Sequence, residues 1–102
     1  MPRGALQHVI GRGIARQKIF LSDEDRDDFL YRLEAILNWS KAICYAWALM
    51  PNHFHLLLKT GMTSLSSVMR RLLTRYAVGY NLLHYRCGRC FLSTVSLDAF
   101  TI

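Results

Sequence analysis

Tyr45-Ala46-Trp47-Ala48-Leu49-Met50-Pro51-Asn52-His53-Phe54-His55-Leu56-Leu57-Leu58-Lys59 reads as two short strands joined by a tight corner at Met50–Asn52. Proline presets the φ angle of a turn, and asparagine tolerates its corner. The run after the corner alternates. His53, His55, Leu57 and Lys59 point one way; Asn52, Phe54, Leu56 and Leu58 point the other. One face is apolar and can cover a core. The opposite face carries two imidazoles whose Cα atoms lie about 6.6 Å apart, so both rings can reach one ion. Neutral imidazole is a common metal ligand. A His-x-His taken alone is a weak signal and more often a structural or incidental pair than a metal site, so the rest of the chain has to decide between the two.

Working outward, so short a link predicts an antiparallel hairpin between a strand at Lys41–Leu49 and the histidine strand. Upstream, Ser22 is suited to cap a helix, with Asp25 three residues on. Phe29, Leu30, Leu33, Ile36 and Leu37 then follow helical spacing, which predicts a helix over Asp23–Trp39 with an apolar stripe. Before it, residues 5–11 alternate as a first strand, with Leu6, His8 and Ile10 on one face, and Gly11-Arg12-Gly13 breaks it. Downstream, Gly61 ends the histidine strand and Thr63 or Ser64 caps a second helix running to about Tyr85. Its stripe is Leu65, Val68, Met69, Leu72, Tyr76, Tyr80 and Leu83. Arg70, Arg71 and Arg75 lie away from that stripe, as either a solvated face or a phosphate-contacting ridge. Phe91–Val95 is the expected last strand. The order strand, helix, strand, strand, helix, strand predicts an α+β, ferredoxin-like split βαβ fold, an antiparallel sheet with both helices on one face. One sheet face then stays open for a ligand.

A chain of 102 residues with 52% hydrophobic content is expected to form one domain, residues 1–102. No apolar run is long enough to cross a bilayer, and Met1–His8 lacks the apolar segment of a secretory signal, so a cytoplasmic protein is expected. The net charge is +6, but six of the seven acids fall within residues 23–34, where a helix dipole explains them. The remainder is strongly basic, and ten of the thirteen cationic side chains of the whole chain are arginine, whose planar fork matches phosphate. That balance suggests a polyanionic partner, and charge alone fits a merely soluble basic protein as well. The cysteines, Cys44, Cys87 and Cys90, are odd in number and do not suggest a disulfide framework. Cys87-Gly88-Arg89-Cys90 lacks the second ligand pair of a zinc site and the strand–helix setting of a redox motif.

The arrangement and its motifs resemble the single-tyrosine HUH transposases, especially the REP-associated tyrosine transposases of bacteria. The resemblance rests on His8-Val9-Ile10-Gly11-Arg12-Gly13 with Arg16-Gln17-Lys18-Ile19-Phe20, and on Leu49-Met50-Pro51-Asn52-His53-Phe54-His55-Leu56-Leu57. It extends to Leu65–Asn81, with Met69 and Tyr76, and to Arg86-x-Gly88-x-x-Phe91, and so covers about residues 6–91. The histidine–hydrophobic–histidine segment in its Met-Pro-Asn-His setting is the specific part.

This resemblance implies that His53 and His55 hold Mg²⁺ or Mn²⁺ at a scissile phosphate of single-stranded or hairpin DNA. A tyrosine hydroxyl would attack that phosphate, giving a 5′-phosphotyrosine link and a free 3′-OH for rejoining. On electrostatic grounds Arg12, Arg16, Lys59, Arg70, Arg71, Arg75, Arg86 and Arg89 become candidate DNA contacts. No catalytic tyrosine carries over. The family places it, and a third metal ligand, on a further helix after the last strand, and Leu92–Ile102 departs from the family pattern. Tyr76 and Tyr80 read as packing residues. A truncated copy is therefore expected, with a catalytically silent nucleic-acid-binding remnant as the alternative to an active transposase. A bare sheet edge left by missing elements would favour homodimers, which sedimentation can reject.

Overall fold

The computed structural model describes residues 5–84 and 95–101. Strand β1 spans Leu6–Gly13 and is followed by a single 3₁₀ turn, Ile14–Arg16. Helix α1 spans Asp23–Ser40, and strands β2 (Ile43–Met50) and β3 (His53–Lys59) form the hairpin. Helix α2 spans Leu65–His84 and strand β4 Val95–Thr101. The sheet order is β2-β3-β1-β4, and each neighbouring pair is antiparallel. This is the ferredoxin-like split βαβ arrangement, in which each strand pair flanking a helix is separated by another strand. Among the described residues no helix is long and apolar enough to cross a membrane.

Alternation sorts the sheet into two faces. Val9 of β1 and Phe54, Leu56 and Leu58 of β3 are buried against Phe29, Leu33 and Ile36 of α1 and against Leu65, Val68, Met69, Leu72, Tyr76 and Tyr80 of α2. Ile19 and Phe20 of the connector complete this core. Phe20, Phe29, Phe54 and Tyr76 form its aromatic centre, with ring centroids 5.0 to 5.6 Å apart. The other sheet face receives His53 and His55, as the hairpin pattern requires.

Several boundaries differ from expectation for local reasons. β1 is not broken by Gly11-Arg12-Gly13 but runs through it, pairing Gly11 with Phe54 and with Leu97. A Cβ on Gly11 would fall 2.2 Å from the Phe54 ring, so this glycine makes room for a core aromatic. Ser22 is the N-cap residue of α1 but makes no side-chain cap bond. Instead Asp25 reaches back, its buried carboxylate accepting the Leu21 N–H at 2.7 Å and meeting His84 at 2.9 Å. Ser64 caps α2 by accepting the Ser67 N–H at 3.4 Å. Leu83 falls outside the buried stripe and is 55% exposed. β2 starts later than Lys41, which adopts the left-handed conformation that closes α1, and Tyr45 is an extra residue bulged out of the β2–β3 ladder. The last strand lies at Val95–Thr101, later than Phe91–Val95; residues 91–94 are outside the described residues, as are Cys87, Cys90 and Tyr85.

Lys41, at φ 61°, carries a backbone cost that glycine would not. Lys41→Gly is expected to raise the unfolding free energy by about 0.5–1 kcal/mol. Urea denaturation checks this; an unchanged or lower midpoint would mean the lysine side chain contributes packing that offsets the strain.

Candidate functional site on the open sheet face

β1 and β3 pair so that Arg12 lies opposite His53, Ile10 opposite His55 and His8 opposite Leu57. Three imidazoles therefore gather on the uncovered face. His8 and His55 are diagonal neighbours, with His8 Nε2 3.0 Å from His55 Nδ1. His53 and His55 stand edge to face with ring centroids 5.3 Å apart, and are the two imidazoles that would hold an ion on this face. His53 Nδ1 lies 2.8 Å from Asn52 Oδ1. All three rings are partly buried. Burial first, then the neighbouring His8, His53 and Arg12, push His55 below the ordinary imidazole value, which keeps it neutral and able to donate a lone pair near neutral pH.

The donor chemistry suits a borderline cation better than a hard one. Two neutral imidazoles favour Mn²⁺ over Mg²⁺, which prefers oxygen ligands. Among the described residues no group of three or more His, Cys, Asp or Glu side chains converges to hold a metal ion. A cation held by His53 and His55 would thus keep most of its coordination sphere for water or substrate oxygens. Beside the histidines an open apolar groove of about 310 Å³ is lined by Ala46, Trp47, Ala48 and Leu57 together with His8 and His55.

The candidate basic residues do not form one surface. Arg12 is exposed next to the histidines and bonds Asp98 of β4 at 3.0 Å. Arg16 is exposed in the connector, where it and Ala15 both have positive φ. That connector is fastened to the hairpin corner: Gly13 N–H donates to the Asn52 carbonyl, and Ile19 and Phe20 N–H both donate to the Pro51 carbonyl. Lys59 shares the histidine face but sits at the far end of β3. Arg70, Arg71 and Arg75 are exposed on α2, in the helix layer behind the sheet, where Arg71 stacks on Trp39 at 4.1 Å. Arg86 and Arg89 lie outside the described residues.

Tyr76 donates its hydroxyl to the Ile19 carbonyl in the core, and Tyr80 points its hydroxyl at the Lys18 carbonyl at 3.3 Å. Burial, then the Asp25 carboxylate, raise the Tyr76 pKa well above the usual phenol range. Both are packing residues, as their stripe suggested. Burial raises the Cys44 thiol pKa, and its Sγ–H donates to the Ala46 carbonyl. His8 and Asn52 were not singled out as site residues by sequence. The alternation of β1 places His8 on a defined face, but only the β1–β3 register brings that face to the histidine pair.

The family described as "Transposase IS200 like" matches residues 4–89. A solved REP-associated tyrosine transposase bound to a REP hairpin superposes with a TM-score of 0.71 at 14% identity, covering 99% of this chain. This chain spans 58% of that protein's length. A Deinococcus radiodurans R1 protein assigned as a transposase superposes with a TM-score of 0.71 at 21% identity, over 100% of this chain and 85% of the other. No curated protein sequence matches the chain. At these identities the two structural likenesses concern the fold.

Proposed function

The chain belongs to the IS200-like transposase family, and from that membership we propose that it binds single-stranded or hairpin DNA on the open sheet face and presents a phosphate to His53 and His55. The observation that carries this reading is the juxtaposition of those two rings, 5.3 Å apart, on the one face that neither helix covers. The REP hairpin on the REP-associated relative favours a hairpin partner here. His53 and His55 would hold Mn²⁺ or Mg²⁺. When bound, the ion would draw charge from a phosphate oxygen and ease attack on phosphorus. Arg12 would exchange or share Asp98 for a phosphate beside the histidines, and Arg16 and Lys59 would extend the contact along the backbone. The α2 arginines face a different layer, so they would serve a second stretch of DNA or none. Among the described residues the outer edge of β2 has no strand beside it, and a second copy would add there.

A silent DNA-binding role is the second reading, favoured by the burial of Tyr76 and Tyr80 and by their hydrogen bonds to main-chain carbonyls. One experiment separates the two. The chain is incubated with a single-stranded hairpin oligonucleotide and Mn²⁺, with and without EDTA, and run on denaturing and native gels. A metal-dependent covalent band supports strand cleavage through a tyrosine of this chain. Absence of that band, with a native-gel shift that weakens steeply as salt rises, supports binding alone. Absence of any salt-sensitive shift overturns the nucleic-acid reading.

A further inference from the structure

We infer that Asn52 and His8 act as positioning residues for the histidine pair, holding both His53 and His55 in the tautomer with its proton on Nδ1 and a bare lone pair on Nε2. The inference rests on the metal-site reading above, which requires neutral rings with a free nitrogen on the open face.

For His53 the hydrogen-bond inventory decides. The partner of its Nδ1 is the amide oxygen of Asn52 at 2.8 Å, and a carbonyl oxygen only accepts. Nδ1 must therefore carry the hydrogen, and a neutral ring then has its lone pair on Nε2. Asn52 is itself anchored, because its main-chain carbonyl accepts the Gly13 N–H at 3.0 Å. The corner residue thus ties β1 with its backbone and orients the first histidine with its side chain.

For His55 the partner is another imidazole. His8 Nε2 and His55 Nδ1 are 3.0 Å apart, so one donates and the other accepts. If His8 donated, a neutral His55 would carry its proton on Nε2 and could not take a cation there. The arrangement that leaves His55 Nε2 bare has His55 donating and His8 accepting, with the His8 proton on Nδ1. His8 is fixed for this task by its place in β1, between β3 and β4, and by the Phe100 ring 6.4 Å away. Both histidines then use the same nitrogen toward the protein and the same nitrogen toward the ligand. Free in water, neutral histidine favours the opposite tautomer, so the two partners reverse a default. Partners of this kind typically change metal affinity by about 10–100-fold although they never touch the ion.

The test is a long-range ¹H–¹⁵N correlation spectrum of the full chain labelled at histidine, at neutral pH without metal, paired with Mn²⁺ titration. The expected wild-type result is Nδ1–H for both His53 and His55. Asn52→Leu should release His53 toward Nε2–H and weaken Mn²⁺ binding about tenfold or more, whereas Asn52→Asp, which still accepts, should keep both. His8→Leu and His8→Gln should split in the same way for His55. An Nε2–H signal for His53 or His55 in the wild type overturns the inference, whatever the variants do. So does an Asn52→Leu protein with tautomer and affinity unchanged. Wild-type tautomers as stated, in a chain that takes up no Mn²⁺, would support the positioning roles and remove the metal reading instead.

Discussion

Replacing His53 and His55 together by alanine should abolish Mn²⁺ uptake while leaving the fold in place. Both rings lie on the sheet face opposite the core, and their loss opens no cavity among the buried residues. The half-buried rings and their hydrogen bonds to His8 and Asn52 make the pair of changes worth about 1–2 kcal/mol, short of unfolding the domain. The metal effect is far larger, because no third side chain among the described residues completes a ligand group that could hold the ion without them. Isothermal titration with Mn²⁺ and thermal melting of the same samples give the two numbers. Undiminished affinity in a folded double variant would mean that the ion binds elsewhere and that the histidines are a structural pair.

The residue between them should behave in the opposite way. Phe54→Ala is expected to cost about 3–5 kcal/mol, a large share of the roughly 5–15 kcal/mol that holds a domain of this size together. Phe54 is fully buried, packs on Phe29 at 5.0 Å and occupies the space over Gly11. Gly11→Ala alone should cost about 1–3 kcal/mol by driving a Cβ into that ring. Combined with Phe54→Ala it should cost less than the sum, since the added methyl enters vacated volume. Urea denaturation of the four proteins completes the cycle. Strict additivity would show that Gly11 serves the backbone rather than the ring.

The hairpin, both helices and the two-faced sheet were readable because each rests on local chemistry. Alternation in His53–Lys59, the Leu65–Tyr80 stripe and the acidic start of α1 are all signals within one element. The errors came where a distant residue decides. Gly11 looked like a breaker, and only the Phe54 ring across the sheet explains why a glycine continues the strand. Ser22 looked like half of a capping box, but the carboxylate that does the work is shared with His84 at the far end of α2. The pair His53 and His55 was visible from spacing, whereas His8 was not, because register between β1 and β3 is a tertiary fact. Sequence marks Asn52 as a corner residue, and its second role appears only with its side-chain partner. Composition presents the arginines as one basic population, yet the fold puts Arg12 on the sheet face and Arg70, Arg71 and Arg75 in the helix layer.

The sheet order also constrains how the protein can be made. On a ribosome, β1 emerges first and β4 after all the other described elements, yet β1 must end between β3 and β4. The β2–β3 hairpin can close early, since its loop is only Pro51 and Asn52. β1 can then add to it, but the ladder between its outer edge and β4 cannot form until β4 has been synthesised. During that interval a growing chain displays an open strand edge next to His8. An edge exposed in that way can pair with another chain, and chaperone capture during translation would cover it.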